Sequence, residues 1–287
     1  MDDGETAKRI YDQQYLKTVQ YGTSANLEAR IQIHRLYATN PTPWQHWVLD
    51  QVEMRSGMQA LEVGCGPADL WRDNLPRLPQ GVRVVAGDLS HGMALQARRN
   101  MHQASQGPAQ NNHPHANEEL RIDIIQVDAQ HLPFPGKFFD RVFANHMLYH
   151  VPDIHQALSE LSRTLKPGGV FCAATNGYGH MRQLNELAAA NFPGYQGGHR
   201  NQIRRFALEN AQDLLAPFFR KTELRIYKAH LQVTQVDPLL AYLASLWDIP
   251  RLVEPAVIER IARQVQQEID RKGFFLIEKS QGLVLAS

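Results

Sequence analysis

The stretch LEVGCGPADLW, from Leu61 to Trp71, decides the fold. A short apolar run ends in two glycines, and a helical segment opens directly after them. Gly64 and Gly66 permit positive φ angles and the close approach of a ligand to the backbone. The first turn of the helix that follows presents unpaired N–H groups. This order of strand, glycine turn and helix predicts a ligand-binding turn.

Short apolar strands alternate with helices on both sides of this stretch. The predicted strands are Gln59–Val63, Arg83–Ala86, Ile122–Val127, Arg141–Ala144 and Val170–Ala174. The helices predicted between them are Ala68–Leu75, Ser90–His102 and Ile154–Leu165, the last followed by Pro167, Gly168 and Gly169. The alternation predicts an α/β fold in which helices cover both faces of a parallel sheet. Ligands of such folds bind at the carboxyl ends of the strands.

Acidic residues stand at two further strand ends. Asp88 follows the second predicted strand, 22 residues after Gly66, which is the spacing of an acid that reaches a ribose diol. Asp128 follows the third predicted strand at the same edge of the sheet. Three successive strand ends therefore carry nucleoside-binding chemistry.

Taken in order, the motifs LEVGCGPAD, VVAGDLSHGM, QVDAQHLPF, FDRVFANHMLYH and LKPGGVF resemble those of the class I S-adenosylmethionine-dependent methyltransferases, small-molecule branch. The resemblance runs from Val52 to Asn176. It implies a Rossmann-like, doubly wound, mostly parallel sheet of seven strands with the last strand antiparallel and with helical cap insertions. It also implies S-adenosyl-L-methionine as the cofactor.

The same resemblance assigns roles to individual residues. Glu62 and the backbone of the turn Gly64, Cys65 and Gly66 would hold the methionine portion of the cofactor, and the carbonyl of Asn145 would face its ammonium. Asp88 would bind both ribose hydroxyls. The adenine would contact Leu89, Met93, Asp128 and Ala129. The family often has a third glycine where this chain has Ala68, and we expect this methyl group to alter packing without abolishing binding.

A dinucleotide-dependent oxidoreductase is the nearest competing class, because it shares the glycine turn and the later acid. In the G-x-G-x-x-G pattern of these oxidoreductases the third glycine would fall at Asp69 of this chain, and Glu62 precedes the glycines. Both carboxylates would repel a pyrophosphate, whereas the ammonium of a methionine tail attracts an acid. The charges favour the methyltransferase.

The segment ANHMLYHVPD, from Ala144 to Asp153, raises the question of metal binding or acid–base catalysis. His146 and His150 are four residues apart, but no glutamate follows His146 as in H-E-x-x-H and Pro152 interrupts a helix. We expect no metal site. His146 and His150 stay candidates for a catalytic base, with a structural role as the alternative. Alignment of the reactants is expected to contribute more than a base to in-line methyl transfer.

The segments outside the core predict a lid over the carboxyl edge of the sheet. We divide the chain into an N-terminal helical cap (1–56), the cofactor-binding core (57–177), an insertion (178–205) and a C-terminal part of the core (206–287) with a helical insertion at 236–271. Helices are also predicted at His180–Ala190 and Phe206–Phe218, and strands at Lys221–Val233 and Phe274–Ser280. Residues 105–119 are polar and proline-broken, which predicts a loop in which His113 and His115 are solvated.

Such a lid favours a small, partly apolar methyl acceptor, such as a secondary metabolite. Candidate substrate contacts are Tyr21, Tyr149, Asn176 and His180, with Tyr11, Tyr15, Trp44, Trp47 and Tyr178 as further lining candidates. The N-P-P-Y motif of amide and adenine N-methyltransferases is absent after Asn145. Two alternatives stay open: a catalytically silent adenosylmethionine-binding scaffold, and an RNA or protein methyltransferase.

Composition narrows the partners. Lys plus Arg number 30 against 29 Asp plus Glu, so the net charge of +1 favours neither nucleic acid nor an anionic membrane. The start MDDGETAKR lacks the apolar segment of a signal peptide, and no apolar run approaches a bilayer span. We expect a cytoplasmic protein, reduced thiols at Cys65 and Cys172, and possible homo-oligomerisation through the N-terminal helices.

Overall fold

A computed structural model describes residues 25–106, 120–193, 195, 197, 200–246 and 254–287. Tyr11, Tyr15, Tyr21, His113 and His115, to which the sequence assigned roles, lie outside this part of the chain. The predicted loop at 105–119 also falls almost entirely outside it.

The main sheet has seven strands. They are β1 (Gln59–Val63), β2 (Arg83–Asp88), β3 (Arg121–Gln126), β4 (Phe139–Asn145), β5 (Leu165–Asn176), β6 (Thr222–Ile226) and β9 (Gln281–Ala286), in the spatial order β3-β2-β1-β4-β5-β9-β6. Strands β1 to β5 pair in parallel, whereas β9 runs antiparallel to both β5 and β6. The predicted sheet of seven strands with an antiparallel last strand is confirmed. The chain order reverses between β1 and β4, which places a ligand crevice at their carboxyl ends.

Helices cover both faces of this sheet. Packed against one face are α2 (Trp44–Gln51), α3 (Asp69–Asn74) and α4 (His91–Ser105), through an apolar cluster that includes Leu70, Trp71 and Ala97. The other face is covered by α5 (Ile154–Thr164) and the short α8 (Ala211–Leu215). In α5 the apolar residues recur at helical spacing, so Ile154, Leu158 and Leu161 all reach the core.

A third apolar cluster lies outside the main sheet. It joins α1 (Ala25–Tyr37), α6 (Arg182–Asn191), α9 (Val236–Ala244) and α10 (Pro255–Lys272) to a two-stranded antiparallel sheet of β7 (His230–Val233) and β8 (Phe275–Glu278). A short helix, α7 (Arg200–Ile203), follows α6. Ile261 and Val265, one turn apart on α10, are buried in this cluster. The segments predicted as cap and insertions therefore share one core.

Three predicted elements differ from the structure. The strand predicted at Lys221–Val233 is two strands, β6 and β7, in different sheets, because Tyr227 turns the chain and donates its hydroxyl to the carbonyl of Thr42. The closing strand of the main sheet is β9, since its residues are buried almost throughout, whereas Phe275–Glu278 pairs with β7. Of the helix predicted at Phe206–Phe218 only Ala211–Leu215 forms.

The beginning of that predicted helix is held in a loop by side chains. Thr175 donates to the carbonyl of Phe206 at 2.6 Å, and the Asn210 side chain accepts from the amide of Ala207 at 2.7 Å. These hydrogen bonds use backbone groups that a helix would otherwise pair. At the other end, Pro217 follows the helix closely, as is common after a helix terminus.

Candidate active site

The glycine turn after β1 has the conformation that its sequence predicts. Gly64 and Gly66 have φ angles of 66° and 53°, and the amide of Cys65 donates to the carbonyl of Gly87 at the end of β2. A methyl group on Gly64 would lie 2.5 Å from Cβ of Met147, whereas one on Gly66 would meet nothing within 4 Å. The turn therefore has one wall packed against the segment after β4 and one side open.

Ala68 departs from the glycine pattern and takes a left-handed conformation, with φ 61° and ψ 34°, immediately before α3. A non-glycine residue in this region costs about 1–2 kcal/mol. Its methyl group is fully buried in the cluster that contains Trp71. The chain keeps the backbone geometry of a third glycine and uses the side chain for packing.

Glu62 and Asn145 form the floor of the site. Asn145 Nδ2 donates to Glu62 Oε1 at 2.8 Å. The other carboxylate oxygen, Glu62 Oε2, and the amide oxygen, Asn145 Oδ1, are both buried without a hydrogen-bond partner. Burial raises the pKa of Glu62 to about 7, with the charges of Asp69 and Asp88 acting in the same direction and the Asn145 amide and the Trp71 indole N–H opposing the shift. Two unpaired acceptors, one of them on a carboxylate, fit a cationic donor such as an ammonium group.

Asp88 lies at the end of β2 and accepts hydrogen bonds from two backbone amides. Its Oδ2 accepts from Gly66 N at 2.9 Å and its Oδ1 from Ser90 N at 2.8 Å. Burial raises the pKa of Asp88, and these two hydrogen bonds oppose the shift. Each carboxylate oxygen keeps a second lone pair for a ligand hydroxyl. Ser90, as its sequence position predicts, caps α4 by accepting from Met93 N at 3.4 Å.

Asp128 follows β3 and carries a partner that the sequence did not indicate. Its Oδ1 accepts from the backbone amide of Gln130 at 2.9 Å, and the Gln130 side-chain amide lies 3.2 and 3.3 Å from the two carboxylate oxygens. Gln130 Oε1 in turn accepts from the amide of Asp153, the N-cap of α5. Gln130 thus links the Asp128 carboxylate to the start of α5 and fixes its orientation.

One cavity of about 420 Å³ brings these residues together. It is lined by every described residue that the sequence assigned to the cofactor, to proton transfer or to direct substrate contact. They are Glu62, Gly64, Cys65, Gly66, Asp88, Leu89, Met93, Asp128, Ala129, Asn145, His146, Tyr149, His150, Asn176 and His180. Trp44 also lines the cavity, whereas Trp47 and Tyr178 are not among the lining residues.

His146 is held rigidly at the cavity wall. It has a positive φ of 53°, its ring lies 5.3 Å from that of Trp44, and its Nε2 is 3.0 Å from the side-chain amide of Gln281. Burial lowers the pKa of His146 to about 4, and the charge of Lys279 acts in the same direction. Its imidazole is therefore neutral at physiological pH and a weak base. His150 ends a 3-10 turn, Leu148–His150, where its ring packs on Tyr149 at 4.6 Å.

Sequence reasoning missed several residues of the cavity. His34 lies in the segment predicted as a helical cap and was given no role at the site, yet its ring lies 6.3 Å from that of His180. Gln281 stands just after the strand predicted at Phe274–Ser280 and carried no signal of its own. In the described part of the chain, no group of three or more His, Cys, Asp or Glu side chains has the geometry of a metal site. Both cysteines are free and buried.

The strand order and the acidic strand ends are those of the class I S-adenosylmethionine-dependent methyltransferases. Comparison with protein families agrees, because residues 61–173 match the model described as a methyltransferase domain. This chain therefore contains a class I S-adenosylmethionine-dependent methyltransferase domain.

Curated relatives extend this result. The chain is 32% identical over 126 residues to a ubiquinone/menaquinone biosynthesis C-methyltransferase, UbiE, of Coxiella burnetii, covering 44% of this chain and 46% of the relative. It is 29% identical over 208 residues to a demethylmenaquinone methyltransferase of Lysinibacillus sphaericus, covering 71% of this chain and 74% of the relative. The chain spans about half the length of the first of these relatives.

Solved structures share the fold at low identity. A phosphoethanolamine N-methyltransferase of Haemonchus contortus, in complex with S-adenosyl-L-methionine, superposes with a TM-score of 0.56 at 18% identity, over 95% of this chain and 59% of that one. The cyclase SpnF superposes with a TM-score of 0.55 at 15% identity, over 94% of this chain and 96% of that one. No helix in the described residues is long and apolar enough to cross a membrane.

Proposed function

We propose that this protein transfers a methyl group from S-adenosylmethionine to a small, partly apolar metabolite. The observation that carries the proposal is the pair of unsatisfied buried acceptors, Glu62 Oε2 and Asn145 Oδ1, at the floor of a cavity that also contains Asp88 and Asp128. Buried polar atoms are normally paired, so a ligand with cationic donors is the natural partner for these two.

The chain's residues divide the cofactor between them. Glu62 and Asn145 would bind the methionine ammonium, and the open side of the turn at Gly64, Cys65 and Gly66 would admit the rest of the methionine. Asp88 would accept from the two ribose hydroxyls with its remaining lone pairs. The adenine contacts fall to Leu89, Met93, Asp128 and Ala129, which line the cavity at the ends of β2 and β3.

When bound, S-adenosylmethionine supplies a methyl group already activated by a sulfonium. The protein then has to hold the acceptor in line and keep water out, and alignment of this kind can be worth an effective molarity of about 10⁵–10⁸ M. Rigid walls suit this task. His146 and Met147 are fixed by Gln281 and by the glycine turn, and Trp44 packs on His146.

Cap and core jointly enclose the acceptor end of the cavity. Ile31 of α1, Leu184 of α6 and Tyr242 of α9 line it together with Tyr149 and Ile203. A concave cavity with a mostly apolar wall favours a small molecule over a polymer that needs an open groove. The relatives named above include C-methyltransferases of quinone biosynthesis, so ring-bearing, partly apolar compounds come first in a substrate screen.

The test is an isotopic methyl-transfer assay across a metabolite panel, run beside calorimetry with S-adenosylhomocysteine. The proposal expects uptake of S-adenosylhomocysteine and label in at least one small acceptor. Uptake without any transfer would favour the scaffold alternative, and it would also fit a cyclase of the SpnF kind, since the shared fold does not fix the chemistry. No uptake, with binding of a nicotinamide coenzyme instead, would overturn the proposal.

A further inference from the structure

Two side-chain amides lie side by side in the part of the cavity that we assign to the methyl-accepting substrate. Asn176 ends β5 and Gln281 begins β9, and the two residues are direct partners in the antiparallel ladder. Residues opposite each other in such a ladder project their side chains to the same face. Gln281 is only 8% exposed, and both Gln281 Oε1 and Asn176 Oδ1 are buried without a hydrogen-bond partner. Both residues line the cavity, so two carbonyl oxygens await a donor there.

The imidazole of the neighbouring His180 adds one more hydrogen-bond acceptor. His180 Nδ1 lies 3.0 Å from the carbonyl of Ser280, so this nitrogen carries the proton and Nε2 of the neutral ring is left as an acceptor. Burial lowers the pKa of His180 well below its usual value, followed by the effects of Lys279 and His146, and this keeps the ring neutral. The Gln281 amide donates towards His146 Nε2, which aims Gln281 Oε1 away from that ring.

Charge narrows the class of donor further. Lys279 lies 5.4 Å from the ring centre of Tyr227, behind the cavity wall, and its charge lowers the pKa values of His34, His146 and His180 after burial. A positive field of this sign disfavours an ammonium donor. Among the described residues that line the cavity there is no lysine or arginine. The same field attracts an anion, but a carboxylate or phosphate has no hydrogen to donate to the carbonyl oxygens and meets no ion-pair partner among these lining residues.

We propose that Gln281 binds an uncharged hydroxyl group of the methyl-accepting substrate, whose O–H donates to Gln281 Oε1, with Asn176 Oδ1 as the neighbouring acceptor. The inference rests on the proposed function and adds the substrate class, namely neutral hydroxylated molecules in preference to acids, phosphate esters and amines. Gln281 is thus a specificity-determining residue, and its hydrogen bond to His146 sets the direction of the free carbonyl oxygen.

The experiment uses three matched probes: a naphthol, its methyl ether and the corresponding naphthoate. Each is titrated into the full chain with and without S-adenosylhomocysteine. One net hydrogen bond predicts that the naphthol binds about fivefold more tightly than the ether, which has no donor, and that the naphthoate binds most weakly. In Gln281→Met this preference falls to about onefold. The control Gln212→Met, at an exposed residue of α8 whose side chain contacts Thr222, keeps it.

Equal binding of naphthol and ether, tightest binding of the naphthoate, or failure of the naphthol to bind would each overturn the inference. The two proposals fail separately. Uptake of S-adenosylhomocysteine without a hydroxyl preference removes the inference and leaves the proposed function standing. A hydroxyl preference that disappears in Gln281→Met, in a protein that takes up no S-adenosylhomocysteine, supports this subsite and removes the proposed function.

Discussion

Asn145 donates its side-chain amide to Glu62 across the adjacent parallel strands β4 and β1, at 2.8 Å. Because the amide nitrogen is used inside this pair, the amide oxygen of Asn145 and the second carboxylate oxygen of Glu62 are both left for a ligand. In the absence of that ligand, burial of the carboxylate carries a desolvation cost that the Asn145 hydrogen bond and the nearby Trp71 indole N–H do not offset, which is why its pKa is raised. The buried Glu62 carboxylate therefore strengthens ligand binding and lowers the stability of the ligand-free protein.

The first prediction follows from this opposition. In Glu62→Gln the charge that attracts an ammonium is lost, and we expect the affinity for S-adenosylhomocysteine to fall about 10- to 100-fold, the range of a buried charged hydrogen bond. The melting temperature of the cofactor-free protein should stay constant or rise, because an amide costs less to bury than a carboxylate. Calorimetry and thermal denaturation measure the two effects. Glu53→Gln, at an exposed side chain, is the control. Unchanged affinity would remove Glu62 from the binding site.

The second prediction concerns how the ionisation of Glu62 couples stability and ligand binding to pH. In the free protein burial holds the pKa of Glu62 at about 7, against an ordinary value of 4.5. Since the folded value is the higher one, the folded state binds more protons between these limits, and the free energy of unfolding falls as the pH rises from 4.5 to about 7. Binding an ammonium requires the ionised carboxylate. We therefore expect S-adenosylhomocysteine to release about half a proton at pH 7, since a group is half protonated at its pKa.

This proton release is measured by calorimetry in buffers of different ionisation enthalpy. The affinity should weaken about tenfold per pH unit below pH 6, as one linked proton requires. Both effects should be absent in Glu62→Gln. If the variant released the same fraction of a proton, the titrating group would be a different one, and Asp88, whose pKa is also raised by burial, would be the next to test.

The third prediction separates the two glycines of the turn. Gly64→Ala places a methyl group 2.5 Å from Cβ of Met147 at a φ of 66°, so we expect a loss of stability of about 1–3 kcal/mol or more. Gly66→Ala meets no protein atom within 4 Å, so it carries only the conformational cost of about 1–2 kcal/mol. Its methyl group, however, points into ligand space, and S-adenosylhomocysteine binding should weaken markedly.

Thermal denaturation and calorimetry on both variants test this contrast. The double change Gly64→Ala with Met147→Ala should recover part of the stability, because the clash is with the Met147 side chain. Recovery cannot be complete, since the φ strain and the Cβ contact persist. A Gly66→Ala protein that binds the cofactor as tightly as the parent would place the methionine portion elsewhere.

The core of the fold could be predicted because each step is local. Strand, glycine turn and helix are encoded within LEVGCGPADLW, and the acids at Asp88 and Asp128 follow their strands directly, so their shared edge results from parallel pairing alone. The closing strands could not be predicted in this way. Phe275–Glu278 and Gln281–Ala286 are both apolar, and only tertiary burial sends one to β7 and the other to β5.

The acceptor end of the site was hidden for the same reason. Gln281 and His34 are single polar residues without a motif, and they reach the cavity through contacts between distant parts of the chain. Tyr149, Asn176 and His180 were found because they lie in the short segments that follow the fourth and fifth predicted strands of the core. The sequence thus indicates site residues that lie close to the end of a core strand. It does not indicate site residues that reach the cavity only through the packing of distant segments.

The last prediction weighs cofactor binding against acid–base catalysis. Asp88→Ala removes the carboxylate that holds the amides of Gly66 and Ser90 and that we assign to the ribose, so the affinity for S-adenosylhomocysteine should fall about 100-fold or more, as the loss of charged hydrogen bonds implies. Asp123→Ala, at an exposed ion pair on β3, should not change it. His150→Ala should lower the turnover found in the methyl-transfer assay by less than the roughly 10²–10⁴-fold contribution of a general base. A near-total loss of turnover in His150→Ala with cofactor binding intact would make this histidine the base and show that positioning alone does not account for the rate.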